Sequence, residues 1–208
     1  MRKLHKFFIG KPPGYPSNKL SKITNFGNKI ENIGYSFEII QGSYNGEGIS
    51  EANIDSHIIA FLTGSILIPH IYKDYFIASV NNKVTEAIQY QAREYIKDKK
   101  NNIFLLSGDG DFIPILQQIG EYSQEKIGIY VVSNPKITHN DMKVLFPFLS
   151  IDDVMDKEIE EGNNLIIVDG NNFLNGLAQG NYIKDREDYD KAFDLLEQIT
   201  IKLTSSKD

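Results

Sequence analysis

The stretch IFLLSGDGDF, residues 103–112, runs four apolar residues into Ser-Gly and then sets two aspartates one glycine apart. A short continuous apolar run bounded by turn-forming residues is the pattern of a strand buried on both faces, as in a parallel sheet covered by helices. Asp109 and Asp111 then stand at the strand's mouth, where their charges repel unless something positive lies between or beside them. A second stretch, LIIVDGNNF at 165–173, has the same grammar: an apolar strand that ends in Asp-Gly, a polar residue and Phe.

Working outward, LHKFFIG (4–10) reads as a strand, followed by the Pro/Gly-rich turn KPPGYPSN. A helix is expected from about Asn18 to Asn32, with Leu20, Ile23, Phe26 and Ile30 at helical spacing and Gly34 to end it. FEII (37–40) is another strand, and GSYNGEG (42–48) a glycine-rich turn. Residues 49–82 read as an insertion that packs on the core or covers a face. Within it IDSHIIAFL fits a buried helix or a strand, and Pro69 interrupts an aromatic run. NKVTEAIQYQAREYIKD (82–98) is a helix with Val84, Ile88, Ala92 and Tyr95 on one stripe. A short helix at 112–123, a strand at 126–133 and a charged helix or linker around 155–164 come next. LIIVDGNNF (165–173) follows as a buried strand that ends in an aspartate, and the chain ends in an amphipathic helix of roughly 189–203 bearing Phe193, Leu196, Ile199 and Leu203. Strands alternating with helices predict an α/β class: three α/β/α layers around a mostly parallel sheet.

Composition narrows the function classes. The 208 residues are 41% hydrophobic, the balance of an ordinary globular chain, and no run of about 18 apolar residues suggests a membrane span. The apolar stretch Phe7–Ile9 behind a basic N-terminus is too short for a signal peptide. With no cysteine, a disulfide scaffold, a thiolate zinc site and a cysteine nucleophile are excluded, which suits a reducing cytoplasm. Residues 1–30 carry seven basic side chains and no acid, although the whole chain is −6. Such asymmetry suits a basic strip for a polyanion beside an acidic site, or a solvated lysine-rich surface.

In a parallel α/β sheet, ligands bind beyond the carboxyl ends of the strands. If the two Asp-ending strands are neighbours, Asp109, Asp111 and Asp169 converge, and they cannot all stay ionised without a cation. A hard divalent ion, Mg²⁺ or Mn²⁺, held by a few carboxylates and completed by water and phosphate, is the natural partner. Such an ion activates water and neutralises charge on a phosphodiester. A lone Asp-Gly is commonly only a turn, its carboxylate bonding a nearby amide. GDGDF lacks the remaining positions of a calcium-binding EF-hand loop, and neither a GxxxxGK[ST] nor a GxGxxG loop occurs. Nor does LLSGDG match the GxSxG elbow of a serine hydrolase.

LLSGDGDFIPILQQIGE resembles the signature of NYN domains, of the PIN-like ribonuclease superfamily, in which a strand ends in Ser-Gly-Asp-x-Asp-Phe. LIIVDGNNFL is similar to that family's first strand, whose Asp-Gly-x-Asn carries its first metal-binding aspartate. Here that strand comes last. FFIGKPPG, the helix ending in Ile33-Gly34-Tyr35 and FEII resemble the family's second strand onward, while KIGIYVVS and LFPFLSIDDV resemble its closing segment. The resemblance therefore implies one circularly permuted domain over 1–208. Residues 1–154 would run from second strand to closing segment, 155–164 would link, and 165–208 would be the displaced first strand and helix. A fragment of a tandem protein, or a homodimer exchanging 165–203, would also satisfy so apolar a terminal strand.

By that resemblance Asp109, Asp111 and Asp169 hold Mg²⁺ or Mn²⁺. The family's further helix aspartate falls at Thr85, beside Glu86, with Asp55 of EANID as a second candidate for the missing carboxylate. Asn171 or Asn172 would orient water or a substrate phosphate, and Ser107 would steady Asp109 or the ion's shell. Lys6 and Lys11 would bind an RNA backbone, and Tyr15 or Tyr44 would stack a base. His5, His57, His70 and His139 show no metal-ligand spacing and are expected to be structural or surface residues. The expected function is a metal-dependent endoribonuclease acting on single-stranded or structured RNA. The alternative is an RNA-binding or protein-interaction module that has lost part of the site. A phosphatase on a related sheet lacks its Asp-x-Asp-x-Thr motif here.

Overall fold

The apolar runs assemble into a six-stranded sheet in which every neighbouring pair is parallel. The computed structural model describes residues 5–42, 44–45, 48–49, 53–67, 101–123, 127–156 and 163–204. Strand β1 (His5–Lys11) leads through helix α1 (Ser17–Asn32) to β2 (Tyr35–Gln41). A small antiparallel pair, β3 (Tyr44–Asn45) and β4 (Gly48–Ile49), precedes α2 (Ile54–Leu62), which runs on into a π-helical turn over Thr63–Leu67. Strand β5 (Asn101–Leu106) ends in a 3-10 turn at Gly110–Phe112 and passes into α3 (Ile113–Ser123). Then follow β6 (Ile127–Val132), α4 (Asn140–Leu145), β7 (Phe148–Leu149) and α5 (Ile151–Asp156). The chain closes with β8 (Asn163–Asp169), α6 (Gly170–Gln179) and α7 (Tyr189–Thr204).

The sheet order is β2-β1-β8-β5-β6-β7, so the strand that comes last in the chain lies in the middle. Strand β8 pairs with β1 and β5 of the same chain, Phe8 facing Asp169 and Leu106 facing Val168. Side chains alternate across a strand, and that alternation divides the core in two. Phe7, Phe104, Leu106, Ile166 and Val168 pack under α1, α5, α6 and α7. Phe8, Ile103, Leu105, Leu165 and Ile167 pack under α2, α3 and α4. These are the three layers, α/β/α, expected from the buried strands.

Local structure follows the sequence closely in α1, where Ile23, Phe26 and Ile30 are buried and Gly34 turns the chain into β2 at φ +99°. Phe7–Ile9 is the buried centre of β1. IDSHIIAFL resolves as the helix α2, capped by the Asn53 side chain accepting from Ser56 N–H. The final helix spans Tyr189–Thr204 with Leu196, Ile199 and Leu203 buried. In LIIVDGNNF the strand ends at its aspartate, Asp169, as expected, and a helix that the sequence did not suggest begins on the next residue. Asp169 is both the strand's last residue and the N-cap of α6, its side chain accepting from Asn172 N–H. The run of Gly and Asn hides this helix because both are poor helix formers.

Much of the basic N-terminal strip meets acids of the same chain. Lys29 pairs with Asp190 of α7 at 2.7 Å, Lys19 with Glu187 just before it, and Lys6 with Glu38 of β2 at 2.9 Å. Among the described residues no helix is long and apolar enough to cross a membrane.

Candidate functional site

Because β5 and β8 are hydrogen-bonded neighbours in parallel register, their carboxyl ends open at the same edge. The two Asp-Gly mouths are laced together there. Ser107 Oγ donates to Asp169 Oδ2 at 3.2 Å and accepts from Asp109 N–H at 3.2 Å. Gly108 N–H donates to Asn172 Oδ1 at 2.9 Å, tying the β5 loop to the first turn of α6. Asp109 Oδ1 accepts from Asp111 N–H at 3.0 Å, and Asp169 Oδ1 from Asn172 N–H at 3.1 Å. Both aspartates thus also do what an Asp-Gly turn ordinarily does.

Glycine is required in the β5 loop by close approach. A Cβ on Gly108 would stand 2.8 Å from the backbone of Thr138, and His139 N–H donates to the Gly108 carbonyl at 2.8 Å. The loop before α4 therefore closes over Ser-Gly-Asp and brings His139 against Gly110.

Turn geometry does not account for the burial of Asp169, which is 4% exposed. Burial and repulsion from Asp55 and Asp109 raise its carboxyl to about 6, against the hydrogen bonds from Asn172 and Ser107 that pull it down. Among the described residues no lysine or arginine contributes to this shift. An N-cap aspartate at the surface would shift the other way, since helix N-termini favour the anion. Asp55 enters because α2 packs against β1, β8 and the Gly110–Phe112 turn, which sets its first turn beside the strand ends.

Of the residues singled out from sequence, the structure gathers Asp169, Asp109, Ser107 and Asn172, with Asp55 alongside. Asp111 is exposed at the rim. Asn171 is exposed on α6, its Oδ1 accepting from Gly10 N–H at 3.3 Å. Lys11 ends β1 and lines a cavity next to Asn171. Lys6 lies lower on β1, its ammonium held by Glu38 and by Ser36 at 3.2 Å, with the Phe61 ring 5.3 Å away. Thr85, Glu86 and His70 lie outside the described residues, as does the side chain of Tyr44. His5 is buried and accepts from Ile166 N–H at 3.1 Å, while His57 binds the Asn53 carbonyl. Arg186, Tyr189 and Asn175, which share the cavity with Lys11, gave no sequence signal: they are scattered along an exposed loop and two helices.

Among the described residues no three acidic or histidine side chains stand close enough to grip one ion together. A Mg²⁺-like cation does not need three: it keeps several waters and takes one or two carboxylates plus substrate phosphate. A buried carboxylate near two further acids, with no cationic neighbour among the described residues, fits that donor set. Asp169 and Asp109 would hold the ion, with Asp55 on the α2 side. Comparison with known families, curated proteins and solved structures finds no match to the chain.

Proposed function

We propose that this chain is a metal-dependent nuclease that hydrolyses RNA phosphodiesters endonucleolytically with Mg²⁺ or Mn²⁺. The observation that carries the reading is the buried Asp169 at the junction of two Asp-ending strands, with Asp109 and Asp55 near it. When bound, the ion would supply Lewis-acid activation of water and charge neutralisation at the scissile phosphate. The chain's own residues do the positioning. Ser107 fixes Asp169 and, through the Asp109 amide, the β5 loop, so the two carboxylates keep one relative placement. Asn172 locks that loop to α6, and Asn171 leaves its amide NH₂ at the edge where a phosphate would pass. RNA as the polyanion rests on the likeness of SGDGDF and DGNNF to NYN signatures.

The test is cleavage of end-labelled single-stranded RNA with Mn²⁺ by the wild type and by Asp109→Asn. A loss of at least about 100-fold in the variant is expected, roughly 3 kcal/mol of transition-state stabilisation. Equal cleavage would remove Asp109 from the site. RNA bound without cleavage by the wild type would favour a binding module on the same fold.

A further inference from the structure

Beyond the acid cluster, on the α1/α6 side of the sheet's carboxyl edge, lies a cavity of about 390 Å³ lined by residues from β1, α1, α6 and the approach to α7. Its volume falls in the range of about 300–1,000 Å³ typical of small-ligand pockets. Strand alternation explains its place: Phe7, Ile9 and Lys11 share one face of β1, whereas Asp169 follows Leu165 and Ile167 onto the other. Asn171, directly after the β8 turn, borders both regions.

The lining has two kinds of chemistry. Lys11 and Arg186 provide positive charge, and neither is in a salt bridge with a described residue. The nearby carboxylate of Glu187 is already taken by Lys19. Tyr15 and Tyr189 provide an aromatic wall. Tyr15 stands near the Tyr189 hydroxyl, and Phe26 of the core braces the Tyr189 ring at a centroid distance of 5.1 Å. Asn171 and Asn175 sit one turn apart on α6 and present amides to the same space. Cations for a phosphate, a preformed aromatic face for a base and amides for base or sugar edges are the requirements of one nucleotide.

We infer that this cavity is a nucleotide subsite, which binds the RNA nucleotide adjoining the scissile phosphate. Its base lies on the Tyr15/Tyr189 wall and its phosphate between Lys11 and Arg186. The inference builds on the nuclease reading, since it takes the strand across the sheet edge from Asp169 past Asn171 into the cavity. It also explains why, among the described residues, these cations meet no acid while Lys6, Lys19 and Lys29 do.

The test is an NMR titration of the full chain with uridine 5′-monophosphate, and separately with uridine and with inorganic phosphate, in EDTA. Binding without metal does not depend on cleavage. The mononucleotide should bind with a Kd near the millimolar range and more tightly than either part. Arg186→Ala and Tyr15→Ala should each weaken it at least about tenfold, while Tyr15→Phe, which keeps the ring, retains it. Absence of any response up to about 10 mM, or equal binding by the folded Arg186→Ala and Tyr15→Ala variants, would overturn the subsite. In RNA cleavage with Mn²⁺, Arg186→Ala should raise KM with little change in kcat. Arg186-dependent nucleotide binding in a protein that cleaves no RNA would keep the cavity and sink the nuclease reading. Cleavage with KM and nucleotide binding both indifferent to Arg186 would do the reverse.

Discussion

Asp169 and His5 are buried titratable groups on adjacent strands, and they pull stability in opposite directions with pH. The carboxyl of Asp169 is raised to about 6, so the fold favours its neutral form, and ionisation costs stability as pH rises from the ordinary carboxylate range through 6. The imidazole of His5 is lowered to about 4 by burial, and its neutral ring accepts from Ile166 N–H. Its contribution is present above the ordinary histidine value and is lost as pH falls through 4. Each shift corresponds to roughly 3 kcal/mol, so between pH 4 and 6 the two slopes largely cancel. Asp169→Asn keeps a good N-cap and removes one slope. In urea denaturation without divalent ions the variant should be more stable than wild type by about 1–3 kcal/mol at pH 7, and equal near pH 4. Its stability should also rise with pH across 4 to 6.5. A variant less stable than wild type at pH 7 would show that Asp169 is there to hold the fold.

At the scale of elements, glycines at strand and helix junctions decide how close the mouths come. A Cβ on Gly170 would lie 2.6 Å from the Phe8 carbonyl oxygen and from the Phe7 ring, so α6 can begin against β1 only with glycine there. In α3, a Cβ on Gly120 would meet nothing nearer than Ile129 Cδ1 at 3.8 Å. The same substitution should therefore have opposite signs. Gly170→Ala should destabilise by about 1–3 kcal/mol through overpacking. Gly120→Ala should stabilise by up to about 1 kcal/mol through helix propensity. Shifts in urea midpoint of the same sign would refute the contrast. The buried strands and α1 and α7 were legible in the sequence because their apolar periodicity is strong. Helix α6 was not, since tertiary contact, not propensity, places Gly170, Asn171 and Asn172 in a helix. The two strand-end aspartates were legible as a pair, but the nearness of Asp55 depends on how α2 packs, which no local pattern encodes. The basic strip misled in part: Lys6, Lys19 and Lys29 look available in sequence and meet Glu38, Glu187 and Asp190 in the fold.

On the scale of the whole molecule, the strand that comes last in the chain occupies the centre of the sheet, and the first and last described elements both bond to it. Asn164 Nδ2 donates to the Leu203 carbonyl at the end of α7, and Ile166 N–H donates to His5 at the start of β1. A short Gly/Ser linker from residue 208 to residue 1, with new termini between 156 and 163, should give a chain that folds to the same sheet. Its circular dichroism and urea midpoint should be close to those of the original. A permutant that fails to fold would show that the present order is needed to insert β8 between β1 and β5. In either order Asp109 and Asp169 open at one edge, where we propose that they share a divalent cation. Calorimetric titration of Mn²⁺ into the full chain at pH 7, beside Asp169→Asn, tests that proposal most directly. Wild type should bind Mn²⁺ with an affinity that the variant loses at least about tenfold, whereas equal heats from both proteins would contradict a metal site at Asp169.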